Sequence, residues 1–273
     1  MSTDFLFGLS ALLALVPAAV LAWRRLAGPA GAAARPDAAF WATAAVALAG
    51  PLAWVHALVA DGWHTGFSVA LWITITGAML VFAAASASTR QAWKLAPLLL
   101  PYLIILGLAA LIWQHAPERP LKTAAHSAWL WIHIAISVAT YALATLAAVA
   151  GLAVFLQERA LKNRRPSALT HHLPSVADGE ALLIGLLLAA GGILLVGVVT
   201  GASIQYLNTG APLRFDHKTV LSLTSLAVIA ALLAAHYRTG IRGRRAARYM
   251  LLGYLLLTLA YPGVKFVTDV LIG

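Results

Sequence analysis

The chain has 273 residues and no cysteine. Disulfides, thiolate metal ligands, cysteine nucleophiles and thiol redox chemistry are therefore excluded. Charge is also scarce: 10% of residues are charged, where an ordinary soluble domain carries about 25%. Carboxylates are the rarest groups. Asp4, Asp37, Asp61, Glu118, Glu158, Asp178, Glu180, Asp216 and Asp269 all fall in loops or at the ends of apolar blocks. Ion- and proton-coupled carriers usually bury a carboxylate near mid-membrane, so this placement argues against a coupled transporter or a channel with an acidic ring. No internal repeat supports an inverted-repeat carrier. No nucleophile–base pair or metal-ligand set is visible, so the protein is not expected to be an enzyme.

What the chain does have is apolar length. Sixty-two per cent of it is hydrophobic, and the apolar residues come in blocks long enough to span a hydrocarbon core, which takes about 20 residues. Eight segments qualify: 4–24, 38–60, 67–87, 95–115, 128–157, 181–203, 219–237 and 249–270. Irregular backbone is barely tolerated in lipid, and the blocks lack the strict alternation of a barrel, so they are expected to be helices. The expected fold class is all-α: a polytopic membrane bundle of about eight transmembrane helices, forming a single integral-membrane domain over residues 1–273. The first block, Phe5 to Trp23, has its basic residues, Arg24 and Arg25, after it. A cleaved signal has the reverse order, so this block reads as a retained helix.

Lysine and arginine placement sets the expected orientation. Alternate loops carry fourteen of the cations, among them Arg24, Arg25, Arg90, Lys94, Arg159, Lys162, Arg164, Arg165, Arg238 and Arg248. The opposite loops carry four: Arg119, Lys122, Arg214 and Lys218. Both termini are thus expected on the outer, periplasmic side of a bacterial inner membrane. The net charge of +10 reads as a topology signal and a partner for anionic membrane lipids, not as a nucleic-acid footprint. Trp23, Trp41, Trp63, Trp93 and Trp129 fall at span ends, as an aromatic belt requires. The fifth block is long enough to protrude near Gln157 and Glu158. Gly197 and Gly201 form a GxxxG that reads as helix packing.

Nine histidines are many for a chain this poor in charge. His171 and His172 lie in a basic loop and attract no role. His64, His115, His126 and His217 fall at outer ends, where a solvated interfacial side chain is the simplest reading. Three others lie within spans or close to their ends: His56 in the second, His133 one turn into the fifth, and His236 ending the seventh. An imidazole in lipid needs partners for its nitrogens, from a side chain, water or a metal. Without cysteine or an embedded carboxylate, zinc and calcium are poorly served. Haem iron needs only imidazoles and an apolar slot. His56 and His133 share the outer level and can serve one iron as axial ligands, with Arg214, Lys218 and His217 near the propionates. Ser137 and Tyr141 follow His133 on roughly one helix face. For each of the three histidines a structural hydrogen bond remains the equal alternative.

Residues 131–162, running from Trp-Ile-His-Ile-Ala-Ile-Ser-Val-Ala-Thr-Tyr to Leu-Gln-Glu-Arg-Ala-Leu-Lys, resemble a segment of the cytochrome c assembly family. So do Asp216-His217-Lys218-Thr219-Val220-Leu221-Ser222, Ala235-His236-Tyr237-Arg238, Gly240-Ile241-Arg242-Gly243-Arg244-Arg245 and Leu257-Thr258-Leu259-Ala260-Tyr261-Pro262-Gly263. This group of membrane haem-handling proteins includes the CcsA, CcmC and HemX types. The chain looks most like its small, eight-helix YpjD-type branch. The resemblance implies that His133 is an axial ligand of an outer-face haem b, that His236 is linked to haem within the membrane, and that His56 matches a second-helix histidine. It implies a haem-binding protein in or near cytochrome c maturation, acting without chemical turnover beside other maturation proteins. The chain departs from haem-presenting members in one loop: residues 205–215 hold no tryptophan, where those members carry a tryptophan-rich WWD motif. HemX-like members also lack that motif, so a regulator of haem metabolism or a haem-free scaffold is the alternative.

Overall fold

A computed structural model describes residues 3–28, 35–60, 64–116, 119–120, 128–210, 217–239, 243–258, 263, 266 and 267. The described residues are almost entirely helical. Helix α1 is Thr3–Leu26, α2 is Ala38–Ala60 and α3 is Phe67–Ser88. A 3-10 turn, Ala92–Leu95, leads into α4, Ala96–Ile112. Then come α5, Ala128–Asn163, the short α6, Ala168–His172, α7, Val176–Thr209, α8, His217–Thr239, and α9, Gly243–Thr258. Two-residue strands, β1 (His64–Thr65) and β2 (Arg119–Pro120), pair antiparallel and join the loops after α2 and α4.

Seven of these helices are long and apolar enough to cross a membrane, counting the 3-10 turn with α4. The eighth expected segment, 249–270, begins inside α9, and most of its second half lies outside the described residues. Proline falls inside α1, α2 and α4, at Pro17, Pro51 and Pro101. Such breaks are tolerated within membrane bundles because neighbouring helices re-satisfy the freed backbone groups.

The helices pack in two groups. Helix α1 packs on α2 and α4, and α3 packs on α2 and α4. In the second group α5 packs on α7 and α9, and α8 on those same two. The groups meet where α3 lies against α5. Helices α1 and α2 approach closely at Gly50, where an added Cβ would sit 2.4 Å from the Ala14 methyl. Helices in lipid gain from packing and hydrogen bonding, so small residues at crossings matter more than apolarity. The small-residue face Ala144, Ala147, Ala148 and Gly151 of α5 is fully buried in this way.

Helix α5 runs beyond its expected end. Its 36 residues extend about 54 Å at 1.5 Å per residue, well past a hydrocarbon core of about 30 Å. It stops in a Schellman motif: the Arg165 N–H bonds the Ala160 carbonyl at 3.1 Å and the Arg164 N–H bonds that of Leu161 at 3.2 Å. Arg164 takes the left-handed conformation this requires, with φ of 50°, and Pro166 bars continuation. The segment expected as a polar loop over 158–180 is thus mostly helix. Ser167 caps α6 in a capping box with Thr170, and Ser175 caps α7 through the Asp178 N–H.

That segment folds back over the basic end of the bundle. The Gln157 side-chain amide donates to the carbonyls of Thr170, Leu173 and Pro174 at 2.7, 3.3 and 3.0 Å. His172 then meets Trp93 edge-on, centroids 5.3 Å apart. The Arg25 guanidinium lies over the Trp93 ring, 5.7 Å from its centroid, and pairs with Asp37, which also accepts from the Phe40 N–H to start α2. Trp93 is at a span end as expected, but 2% exposed. It is therefore a packing centre for the cap and not part of a lipid-facing belt. Trp23, Trp41 and Trp129 do expose their rings, and Trp63 lies outside the described residues.

Candidate functional site

His133 lies in the second turn of α5, half-buried against α7. Its Nδ1 is 2.9 Å from the Thr200 hydroxyl on α7. That hydroxyl has one hydrogen, and it donates it to the Gly197 carbonyl at 3.1 Å, one turn back. With that hydrogen on the Gly197 carbonyl, the Thr200 oxygen accepts from Nδ1–H, one of the two tautomers the contact allows. Nε2 then holds the lone pair. Among the described residues Nε2 has no hydrogen-bond partner. A ring whose Nδ1–H is fixed by an outer partner is oriented as metal-ligating histidines are.

Gly201 makes room for this ring. A Cβ there would stand 3.0 Å from Cε1 of His133. One turn earlier, a Cβ at Gly197 would stand 3.3 Å from a methyl of Ile136. The GxxxG read as packing does bring α5 and α7 together, and its second glycine is also the floor of the histidine. Ser137 turns its hydroxyl back to the His133 carbonyl at 2.8 Å, which satisfies it locally. Thr200 was not singled out in the sequence. Its signal was available: it sits inside the GxxxG of α7, where a hydroxyl can reach a facing imidazole.

The other two histidines lie elsewhere. His56 is exposed on α2, which packs on α1 and α3. Helix α3 packs against both α2 and α5, and among the described residues no ring contact or hydrogen bond joins His56 to His133. The two imidazoles expected to share one slot are not brought together. His236 is half-buried near the end of α8 and meets Tyr237 edge-on at 5.1 Å. Arg214 lies outside the described residues, as do the side chains of His217 and Lys218, so the expected propionate contacts have no geometry. Among the described residues no group of three or more His, Cys, Asp or Glu could hold a metal ion. Haem needs only one or two imidazoles, and His133 offers one with a free ring nitrogen among the described residues.

Between the two helix groups lies a hydroxyl network. Tyr254 of α9 pairs with Tyr102 of α4 at 2.6 Å and accepts from Thr145 of α5 at 3.1 Å. Tyr141 of α5 pairs with Thr258 of α9 at 3.1 Å, and Tyr141 and Tyr254 have ring centroids 5.7 Å apart. Tyr141 thus belongs to this network. A buried phenol must find a partner, and these three find one another.

The fold and the site define a multi-pass helical membrane protein with a pre-oriented imidazole between two packed spans. The chain belongs to the cytochrome c assembly protein family, whose model matches residues 62–272. His133 and His236 fall within the matched residues, and His56 falls before them. An uncharacterized 28.8 kDa protein from Azospirillum brasilense is 54% identical over 273 residues, covering 100% of both chains. Inner membrane protein YpjD of Escherichia coli is 26% identical over 186 residues, 68% of each chain. Cytochrome c biogenesis protein CcsA of Parasynechococcus marenigrum is 27% identical over 173 residues, 56% of this chain and 57% of that one. No solved structure matches.

Proposed function

We propose that this protein is an inner-membrane haem-binding member of its family, handling haem b in or near cytochrome c maturation without chemical turnover. His133 would hold its iron, through Nε2. The observation that carries this is the imidazole itself: its Nδ1 is held by the Thr200 hydroxyl, and among the described residues its Nε2 has no partner. When bound, haem would supply iron as the missing partner of that nitrogen. The chain supplies position: Thr200 sets the tautomer and Gly201 sets the depth. His56 and His236 enter the reading as further haem-contacting positions, each on its own helix. On the positive-inside rule the basic loops, and with them the Arg25, Trp93 and His172 cap, face the cytoplasm, and His133 and both termini are read at the periplasmic level.

The test is the visible absorption spectrum of protein purified after haem-replete expression. A Soret band is expected, and His133→Ala should remove most of it, while His56→Ala and His236→Ala remove less. No band, with none gained on adding hemin, sinks the proposal. One observation favours a second reading, a haem-free accessory protein: no second imidazole converges on His133 among the described residues. Under it, His133→Ala changes only thermal stability.

A further inference from the structure

The residue that aims His133 stands on another helix. Thr200 of α7 is 6% exposed, and it lies 67 residues from the imidazole it holds. Other buried threonines spend their hydroxyls locally. Thr74, Thr76 and Thr140 each donate to a carbonyl of their own helix and reach no other group among the described residues. Thr200 donates to the Gly197 carbonyl at 3.1 Å in the same way, and its oxygen also stands 2.9 Å from Nδ1 of His133. Among the described residues that oxygen is the only hydrogen-bond partner of the ring. Next to it in the chain, Gly201 leaves space for Cε1, since a Cβ there would stand 3.0 Å away. The Ser137 hydroxyl, one turn along α5, is turned to the His133 carbonyl and does not compete.

The hydrogens can be counted. An imidazole that gives its Nε2 lone pair to a metal keeps its proton on Nδ1. With the Thr200 hydrogen on the Gly197 carbonyl, the Thr200 lone pairs are left for that Nδ1–H, and each donor has one acceptor. The kind of acceptor then sets the strength of the ligand. An outer partner orients a metal-bound imidazole and raises its basicity, and a charged partner does so more than a neutral one. Thr200 offers an uncharged oxygen. The acids of α5 and α7 are Glu158, Asp178 and Glu180, and all three stand toward the opposite ends of those helices from His133 and Thr200.

We propose that Thr200 is a positioning residue for His133: its uncharged oxygen selects the tautomer with Nε2 bare, holds the ring against α7, and keeps it a neutral donor of moderate strength. This rests on the reading that His133 would hold haem iron, and it adds the group that tunes that bond. Losing the oxygen leaves Nδ1–H without an acceptor, so the ring loses both its preferred tautomer and part of its donor strength. A weaker donor stabilises ferric iron less, which raises the reduction potential of the bound haem.

The experiment compares the full-length protein with Thr200→Val, which keeps the shape and removes the oxygen, and Thr200→Ser, which keeps the oxygen. Nitrogen NMR of isotopically labelled histidine, taken without haem at about pH 8 where an ordinary imidazole is neutral, reads the tautomer, with His133→Ala to assign the signals. Wild type and Thr200→Ser should show one tautomer, protonated at Nδ1, and Thr200→Val should show both in exchange. Hemin titration then reads the ligand. Thr200→Val should bind hemin about tenfold more weakly or worse, with a lower iron–imidazole stretching frequency in the ferrous form and a higher reduction potential. Thr200→Ser should stay close to wild type in all three. A merely structural threonine would move the unfolding midpoint and none of these readouts. A wild-type ring bare at Nδ1 overturns the proposal. So does a Thr200→Val protein with wild-type nitrogen shifts, hemin affinity and potential. A protein that takes up no hemin overturns the haem reading instead, and the nitrogen shifts still decide the hold of Thr200 on the ring.

Discussion

Helices α2 and α5 each carry a histidine expected at the outer level, and they are built differently. Helix α5 is enclosed by α3, α7 and α9, and 67% of its most apolar stretch is buried. Helix α2 touches α1 and α3 and has 22% buried. His133 therefore meets a hydroxyl and a glycine floor, while His56 meets the surroundings of the bundle. Apolarity does not separate the two helices, since both must be apolar to lie in lipid. Neighbours separate them, and only an enclosed helix can hold an imidazole in one orientation.

Substitutions that shrink buried side chains should show the contrast most strongly. Leu146 on α5 is fully buried, whereas Leu52 on α2 is 46% exposed. Leu146→Ala should cost about 2–5 kcal/mol in reversible unfolding, and Leu52→Ala little, because lipid tails are as apolar as leucine. Equal costs would mean that α2 is covered by something besides lipid. Next in size is Gly201→Val, which drives its new methyls into the His133 ring. It should cost about 1–3 kcal/mol as an overpacked site, and it should shift any haem band that His133 supports. Gly185→Ala, into open space, serves as the control.

Tyr254→Phe comes third. It leaves the hydroxyls of Tyr102 and Thr145 without their shared partner and should cost about 1–2 kcal/mol. A neutral result would show that those groups find water or each other once the phenol is gone. The smallest effect concerns the cap that ties the loop after α5 to α1. Burial, then the Lys94 and Arg25 cations, hold the His172 imidazole below its ordinary pKa. The folded state thus favours the neutral ring. This contribution is complete above pH about 6.5, where the unfolded ring is also neutral, and declines as pH falls below that value. Trypsin cleavage after Arg164 should rise over the same interval, and His172→Gln should flatten the profile.

Much of this was legible in the residues. Seven of the eight expected spans match helices to within a few residues at most ends, because length and apolarity are what lipid selects. The exceptions have physical causes. Helix α5 outruns its apolar block because helix propensity and the Gln157 clasp carry it through polar residues. Helix α7 starts earlier than its apolar run because Ser175 caps it. Trp93 stands where an aromatic belt was expected, but Arg25 and His172 enclose it. Partners such as Thr200 for His133, or Tyr102 for Tyr254, sit 67 and 152 residues away in sequence, and no local pattern announces them.

The sequence by itself determined that this chain is a bundle of membrane helices, which way its basic loops group, and that histidine is its most conspicuous polar side chain. These follow from composition and order, which a bilayer reads segment by segment. Tertiary structure alone decided which helices touch, and so which imidazole is held by a hydroxyl and which faces outward. Lipid treats all apolar helix faces alike, so the choice of neighbours rests on small residues and scattered hydroxyls whose pairing exists only once the helices have met.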